Sequence, residues 1–193
     1  MAEALRDPRP TDEAFANQLA SGEAMEAAVV RWLKSRGSHA RRAEGPIWTP
    51  CGPRKVRRPD IVVMPSDGRM YWLEVKSERT WSYRITQDKF EFSILAEKVR
   101  NYADLSWYHQ IPCFLLLIVS ESEPPEADLR QACRLRATVP SEYPTGVWCC
   151  AVEEMAHSKR REEDTEGGPM WWWASEDLHK LCELGEFREG ASE

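Results

Sequence analysis

Apolar positions recur with two different periods in the first half of the chain. Over residues 21–37 they fall three or four apart, which is the spacing of one helix face, and Gly37 supplies an end signal. Residues 60–64 and 70–76 are shorter apolar-rich runs, and Pro65-Ser66-Asp67-Gly68 between them is a strong turn signal. The pattern predicts a helix that begins at Thr11 or Asp12, followed by a β-hairpin.

The second half of the chain predicts further strands and helices. Residues 87–105 have a helix-like rhythm, and residues 113–120 form an unbroken apolar run that is typical of a strand buried on both faces. The remaining predicted elements are a short strand at 47–49, a helix at 126–135, strands at 147–152 and 170–173, a charged loop at 158–168 and a closing helix at 175–184. This order predicts an α/β fold with a central mixed sheet flanked by helices. We expect one domain over residues 12–185, with a flexible tail at 1–11 and a frayed acidic tail at 186–193.

Composition and charge favour a folded, soluble protein. The chain has 193 residues, a formal net charge of −6, nine Trp and six Cys. The cysteines show no CxxC spacing, which argues against a zinc site and against a secreted disulfide framework. The N-terminus has no apolar signal-peptide core, and the longest apolar run, at 113–119, is too short to span a membrane. We therefore expect a cytoplasmic protein that does not contact a membrane.

Three residues of the predicted hairpin suit metal-dependent phosphodiester cleavage. Asp60 begins the first strand, and Glu74 and Lys76 end the second, two residues apart and therefore on the same face. Carboxylates hold Mg²⁺ or Mn²⁺ beside a phosphate, and a lysine can orient or help to deprotonate the attacking water. The backbone carbonyl of Val75 could complete part of the metal shell. Alone, a Glu-x-Lys sequence on a strand is more often a solvated edge.

The hairpin turn sets a geometric condition on this site. With a two-residue loop at Asp67-Gly68, Asp60 would lie opposite Val75 and miss the face of Glu74. An odd number of loop residues, or a bulge, brings Asp60 opposite Glu74. We therefore predict a loop such as Asp67-Gly68-Arg69, with Gly68 at positive φ.

The hairpin sequence resembles that of a known nuclease superfamily. Arg58-Pro59-Asp60-Ile61-Val62-Val63 and Trp72-Leu73-Glu74-Val75-Lys76-Ser77 are similar to the motif of the PD-(D/E)xK nucleases. That superfamily includes many restriction endonucleases, archaeal-type Holliday junction resolvases and transposon-end nucleases. The resemblance covers residues 21–120 and implies a restriction-endonuclease-like core of αβββαβ type, here with extra C-terminal strands and a helix.

The resemblance also implies roles for residues of the hairpin and beyond. Asp60 and Glu74 would bind Mg²⁺ or Mn²⁺, and Lys76 would position or activate water. Gln87 matches the polar residue that often opens the following helix in this family, and it would help to hold Lys76 or the substrate phosphate.

An acidic helix before the hairpin is a further feature of the superfamily. Residues 22–29 match that helix, and they contain Glu23 and Glu26. Glu26 borders the apolar stripe and can face the sheet, so it is favoured, with Glu23 as the second candidate. Glu26 would bind a second metal, or the first through water.

Basic and aromatic residues flank the motif. Those predicted to contact nucleic-acid phosphates are Arg54, Lys55, Arg57, Arg58, Arg79, Arg84 and Lys89. Trp81 and Tyr83 follow the motif closely, where they could stack on bases or serve as packing residues. For Trp171-Trp172-Trp173, packing in a core or a dimer is favoured over base stacking.

The sequence favours a Mg²⁺- or Mn²⁺-dependent nuclease, and the resemblance implies a DNA endonuclease. Its partners would be nucleic acid and either a second copy of the chain, as a homodimer, or the subunits of a larger complex. One alternative is a Holliday junction resolvase-type nuclease that prefers four-way junctions. The other is a non-catalytic nucleic-acid- or protein-binding module of the same fold, within a defence, transposition or repair complex.

Overall fold

Two sheets organise the protein. The computed structural model describes residues 12–44 and 58–192, with side chains from residue 21 onward. In that part of the chain the helices are α1 (Asp12–Ser35), α2 (Ala96–His109), α3 (Glu126–Leu135), α4 (Val152–His157) and α5 (Leu184–Ser192). The first sheet has the spatial order β1 (His39–Arg42), β2 (Ile61–Met64), β3 (Tyr71–Glu78), β6 (Cys113–Val119), β7 (Gly146–Ala151) and β10 (His179–Cys182). The second has the order β4 (Ser82–Arg84), β5 (Lys89–Leu95), β9 (Gly168–Ala174) and β8 (Arg161–Thr165).

The first sheet is mixed, as predicted. β2 and β3 form an antiparallel hairpin, whereas β3 and β6 run parallel and are joined through β4, β5 and α2. The other pairs of this sheet, β1 with β2, β6 with β7 and β7 with β10, are antiparallel. The α/β class and the order helix, three strands, helix, strand are therefore confirmed, with the β4–β5 hairpin as an insertion before α2.

Each face of the first sheet is covered by a different layer. On one face, Val29, Trp32 and Leu33 of α1 and Phe187 of α5 pack against Leu73 and other apolar residues of the sheet. On the opposite face lie α2, α4 and the second sheet, whose aromatic side chains share one core with the strands. β6 lies between the two layers and is buried on both faces, as its unbroken apolar sequence predicts. No helix in the described part of the chain is long and apolar enough to cross a bilayer.

The register of the β2–β3 hairpin satisfies the condition for a shared site. Ile61 is paired with Leu73 and Val63 with Tyr71, so the register continued by one residue sets Asp60 opposite Glu74. Gly68, in the turn, has a φ of +78°, as predicted.

The predicted helix over residues 87–105 is wrong in its first half. Residues 89–95 form β5, and α2 begins only at Ala96. The apolar side chains of Phe90, Phe92 and Ile94 alternate with polar ones, and this strand period competed with the spacing of a helix face. Gln87 therefore does not open a helix. It lies in the turn between β4 and β5, where its N–H donates to the carbonyl of Arg84 at 3.0 Å.

The C-terminal region also differs from its prediction. The charged segment 158–168 contains β8, an exposed edge strand that pairs with β9. The closing helix at 175–184 is replaced by a short 3₁₀ turn, Ser175–Asp177, and by β10. The tail expected to be frayed forms α5 instead, because Phe187 and Ala191 are buried against α1. Gly190 permits this approach, since an added Cβ would lie 3.0 Å from Trp32 Cδ1.

The strands before the hairpin also differ from the prediction. β1 was not predicted, because His-Ala-Arg-Arg has no apolar alternation, and it forms by pairing with β2. The strand predicted at 47–49 lies outside the described residues. The tail at 1–11 is likewise outside them.

The tryptophans are mostly core residues. Trp81 is 1% exposed, and its indole N–H donates to the Pro144 carbonyl at 2.8 Å. Trp171 and Trp173 are buried in the core between the sheets, whereas Trp172 faces the other way, with Arg161 4.5 Å from its ring centre. The packing interpretation therefore holds for Trp81, and also for Tyr83, which is buried.

Candidate active site

An open cavity of about 340 Å³ lies where α1, the hairpin and α2 meet. Its lining residues are Glu26, Arg42, Ala43, Arg58, Pro59, Asp60, Glu74, Lys98 and Tyr102. Three acidic residues predicted from the sequence, Glu26, Asp60 and Glu74, therefore share one cavity. They come from three separate parts of the chain: Glu26 lies on α1, Asp60 directly precedes β2, and Glu74 lies on β3.

Asp60 is held against β3 by the backbone. Its Oδ2 accepts a hydrogen bond from the N–H of Val75 at 2.7 Å. Burial, together with the negative charges of Glu74 and Glu26, raises the pKa of Asp60 to about 7, although the Val75 N–H and Lys98 act in the opposite direction. Negative charge is thus costly at this position without a cation close by.

Glu74 is held by α2. Its side chain is only 7% exposed, yet both carboxylate oxygens have donors. Lys98 Nζ donates to Oε1 at 2.7 Å, and Tyr102 Oη donates to Oε2 at 2.6 Å. Burial and the charge of Glu74 raise the pKa of Tyr102, so the phenol keeps the proton that it donates. Lys98 and Tyr102 can both reach Glu74 because residues four apart share one helix face.

Glu26 enters the cavity from α1. Its carboxylate lies 2.7 Å from Arg42 Nε, and the same guanidinium reaches Glu23 at 3.4 Å. The side chain of Glu26 is 18% exposed against 54% for Glu23, and Glu23 does not line the cavity. Of the two candidates on this helix, Glu26 is therefore the one that reaches the cavity.

Lys76 lies on the same face of β3 as Glu74 but makes other contacts. Its Nζ is 2.8 Å from Glu78 Oε1 and also donates to the carbonyl of Ser93 on β5. Lys76 is absent from the lining of the cavity, as is Gln87.

The predicted phosphate-contacting residues fall into three groups. Arg54, Lys55 and Arg57 lie outside the described residues. Arg58 lines the cavity. The residues that follow the hairpin each contact a carboxylate: Arg79 binds Glu121 through two hydrogen bonds of 2.8 and 3.0 Å, Arg84 lies 3.6 Å from Glu91, and Lys89 contacts Glu176.

The donor set of the cavity fits a hard divalent cation by its chemistry. Its acidic side chains offer carboxylate oxygens, which Mg²⁺ and Mn²⁺ prefer, and a cation would offset the cost of ionising Asp60. Among the side chains of residues 21–44 and 58–192, however, no three His, Cys, Asp or Glu residues converge closely enough to hold a metal ion. Glu74 and Glu26 are instead paired with Lys98 and Arg42. Metal binding would require these pairs to loosen.

Lys98 and Tyr102, the two partners of Glu74, are site residues that the sequence did not assign, and so is Arg42, the partner of Glu26. Lys98 and Tyr102 were both recognised as part of a helix, but nothing in the motif connects that helix to Glu74. Their spacing of one helix turn, with a hydroxyl and an ammonium group on one face, is the signal that could have found them.

Comparison with solved structures finds a resolvase and a nuclease among the chains of similar fold. One is Hjc, a Holliday junction resolvase from Archaeoglobus fulgidus, with 14% identity and a TM-score of 0.46 over 88% of this chain and 99% of that one. The other is D212, a nuclease from a fusselovirus, with 10% identity and a TM-score of 0.40 over 96% of this chain and 95% of that one. No protein-family model and no curated protein match the chain.

Proposed function

We propose that this chain is a divalent-metal-dependent nuclease that hydrolyses phosphodiester bonds of nucleic acid, with DNA as its substrate. The observation that carries the proposal is the register of the hairpin. It sets Asp60 opposite Glu74, and both carboxylates line a cavity that also contains Glu26. The choice of DNA follows from the resemblance of the motif alone.

The acidic residues of the cavity would hold the metal. Asp60, Glu74 and the backbone carbonyl of Val75 are the proposed ligands of Mg²⁺ or Mn²⁺, with Glu26 binding directly or through water. When bound, the metal would neutralise charge on the phosphate and favour ionisation of the attacking water.

The protein groups around the ligands would orient them. The Val75 N–H fixes Asp60, and Lys98 with Tyr102 fixes Glu74. Arg58 lines the cavity, and its proposed role is to contact a phosphate of the substrate. The resemblance gives Lys76 the role of positioning water, which would require its ammonium group to leave Glu78 and Ser93.

A cleavage panel tests the proposal. The wild-type chain and Asp60→Asn are each incubated with Mg²⁺, Mn²⁺ or EDTA. The substrates are linear duplex DNA, single-stranded DNA, a four-way junction and RNA. We expect cleavage only with metal, and a loss of about 100-fold or more in Asp60→Asn, the scale for removing a preorganised charged group. Cleavage in EDTA, or a folded Asp60→Asn protein with the wild-type rate, would contradict it.

The same panel separates the alternative functions. Preference for the four-way junction would identify a resolvase-type enzyme. A binding module of this fold is favoured by the pairing of Glu74 with Lys98 and of Glu26 with Arg42, which leaves the carboxylates already compensated. Metal or nucleic-acid binding without turnover of any substrate would support the module.

A further inference from the structure

Two lysines lie near Glu74, and of these two only Lys98 lines the cavity. Glu74, Lys76 and Glu78 follow each other on one face of β3, because side chains two residues apart share a face. Lys98 contacts Glu74 inside the cavity, at 2.7 Å. Lys76 contacts Glu78 at 2.8 Å, and neither of these two residues lines the cavity.

We propose that Lys98 of α2, rather than Lys76 of the Glu-x-Lys sequence, is the positioning lysine of this site, and that it acts by holding Glu74 together with Tyr102. The inference rests on the proposed nuclease function and assigns a residue that the motif does not contain.

Burial of Glu74 is the first reason. An ionised carboxylate that is 5% exposed as a residue needs both a compensating charge and hydrogen bonds. Lys98 supplies the charge and one hydrogen bond, and Tyr102 supplies the second. Removing Lys98 therefore leaves Glu74 without its compensating charge and with one fixed hydrogen bond fewer, so that its carboxylate is free to turn away from Asp60.

The rigidity of α2 is the second reason. Lys98 and Tyr102 lie on one helix whose Val99 and Leu105 are each 1% exposed in the core between the sheets. Both donors to Glu74 thus have a fixed backbone, which is the condition for holding a site carboxylate in one orientation.

The contacts of Lys76 are the third reason. Its Nζ joins Glu78 on β3 to the carbonyl of Ser93 on β5, so it links the first sheet to the second. A move into the cavity would break both contacts and bring a second ammonium group towards Lys98, which already compensates Glu74.

Kinetics of three variants test the assignment. Lys98→Met, Lys98→Arg and Lys76→Met are compared on the best substrate of the panel with saturating Mn²⁺. We expect Lys98→Met to lower kcat by about 100-fold with KM nearly unchanged, because the group acts on the reacting site and not on substrate binding. Lys98→Arg should recover about tenfold of this loss, and Lys76→Met should stay at least about tenfold faster than Lys98→Met.

Arg161→Met is the matched control. Arg161 also pairs with a buried carboxylate, Glu91, at 3.1 Å, but on the second sheet and away from the cavity. Its loss should lower the unfolding midpoint and leave kcat unchanged. If Arg161→Met and Lys98→Met lower kcat equally at matched stability, Lys98 has only a structural role and the proposal is overturned.

A double-mutant cycle on protein stability measures the coupling between Lys98 and Glu74 without an activity assay. Unfolding midpoints are measured for Lys98→Met, Glu74→Gln and the double variant, and for the corresponding set with Lys76→Met. We expect the Lys98 and Glu74 effects to be clearly non-additive, and the Lys76 and Glu74 effects to add. Additive effects of Lys98 and Glu74 would overturn the inference.

The outcomes separate this inference from the proposed function. If the wild-type chain cuts and Lys98→Met keeps the wild-type kcat, or if Lys76→Met loses more than Lys98→Met, the nuclease stands and the inference fails. If the wild-type chain cuts nothing, the proposed function fails, and the stability cycle alone decides whether Lys98 positions Glu74.

Discussion

The face of β3 that carries the motif has two acid–lysine pairs, and they differ in burial more than in chemistry. Glu74 with Lys98 and Glu78 with Lys76 are both separated by less than 3 Å, at 2.7 and 2.8 Å. The Glu74 side chain is 7% exposed, whereas that of Glu78 is 40% exposed. Only Glu74 has a second carboxylate, Asp60, opposite it in the hairpin.

This difference shows what turns an ordinary ion pair into a candidate site. Residue types alone do not distinguish the two ends of the strand. Burial and the nearby Glu74 and Glu26 charges raise the pKa of Asp60, so a negative charge is costly at the Glu74 end of the strand, and a cation there would offset that cost. At the other end of the strand, Lys76, the partner of Glu78, donates to the Ser93 carbonyl and so connects the first sheet to the second.

The largest expected effect is a loss of folding stability in the second sheet, which Lys76 contacts through Ser93. Trp173 is 1% exposed, and Trp173→Ala should lower the free energy of unfolding by about 3–5 kcal/mol, the cost of removing a large core side chain. Trp172→Ala is the control and should cost less, because Trp172 faces away from the core. Chemical denaturation measures both. Equal losses would show that the two sides of β9 are packed alike.

Removing a single hydroxyl sharpens the comparison at the Glu74 end. Tyr102→Phe deletes the donor to Glu74 Oε2 and should slow cleavage roughly tenfold, since a buried acceptor is left unsatisfied. Tyr143→Phe deletes a similar bond, to Asp128 at 2.9 Å, outside the cavity. It should leave the rate unchanged. The two variants are compared by single-turnover kinetics, and equal rates in both would count against the role of Tyr102.

The pKa of Asp60 predicts how stability depends on pH without metal. The pKa is about 7 in the folded chain and about 4 for an unfolded Asp, so the folded state binds the proton more tightly. This contribution is fully present below about pH 4 and is lost as the pH rises through about 7.

Denaturation in EDTA from pH 4 to 8 checks that sign. The wild-type chain should lose more stability with rising pH than Asp60→Asn, whose amide does not titrate. At pH 8, added Mn²⁺ should restore stability to the wild type more than to the variant. Parallel pH curves for the two proteins would refute the raised pKa.

The smallest expected effect is on DNA binding, and it differs between two of the predicted phosphate contacts, Arg58 and Arg79. Both side chains are exposed, but Arg58 lines the cavity, whereas Arg79 lies outside the cavity lining, where it pairs with Glu121. Arg58→Ala should therefore weaken DNA binding and reduce its salt dependence, by roughly one phosphate contact. Arg79→Ala should change the Kd by less than about twofold, as is usual for an exposed pair. Fluorescence anisotropy across a salt series measures both, and the reverse order would contradict the positions described.

Local signals were enough to predict the elements around the motif. The long helix before the hairpin, the turn with Gly68 and the apolar strand β6 each have a strong and unambiguous period or turn sequence. The count of loop residues needed to bring Asp60 opposite Glu74 could be stated in advance, because side chains alternate strictly along a strand.

The rest of the fold depends on tertiary contacts that local patterns do not encode. β8 is almost entirely charged and exists by pairing with β9. α5 packs against α1 through Phe187 and Ala191, and Gly190 allows its close approach to Trp32. β5 contains both a strand period and apolar residues four apart, so its sequence alone is ambiguous.

The site was predictable to the extent that it lies in the hairpin. Asp60, Glu74 and Glu26 were proposed from the sequence, and the structure brings them into one cavity. The partners of Glu74 could not be predicted, because the contact between α2 and β3 crosses the β4–β5 insertion. The second sheet likewise explains why Lys76 has a partner in Ser93.

The most direct measurement compares cleavage by Glu74→Gln and Glu78→Gln, two equal changes on the same face of one strand. Both are assayed with Mn²⁺ on the preferred substrate, after circular dichroism has shown that each variant is folded. We predict that Glu74→Gln loses about 100-fold or more in rate and that Glu78→Gln retains the wild-type rate. A folded Glu74→Gln protein that cuts at the wild-type rate would contradict the assignment of this cavity as the active site.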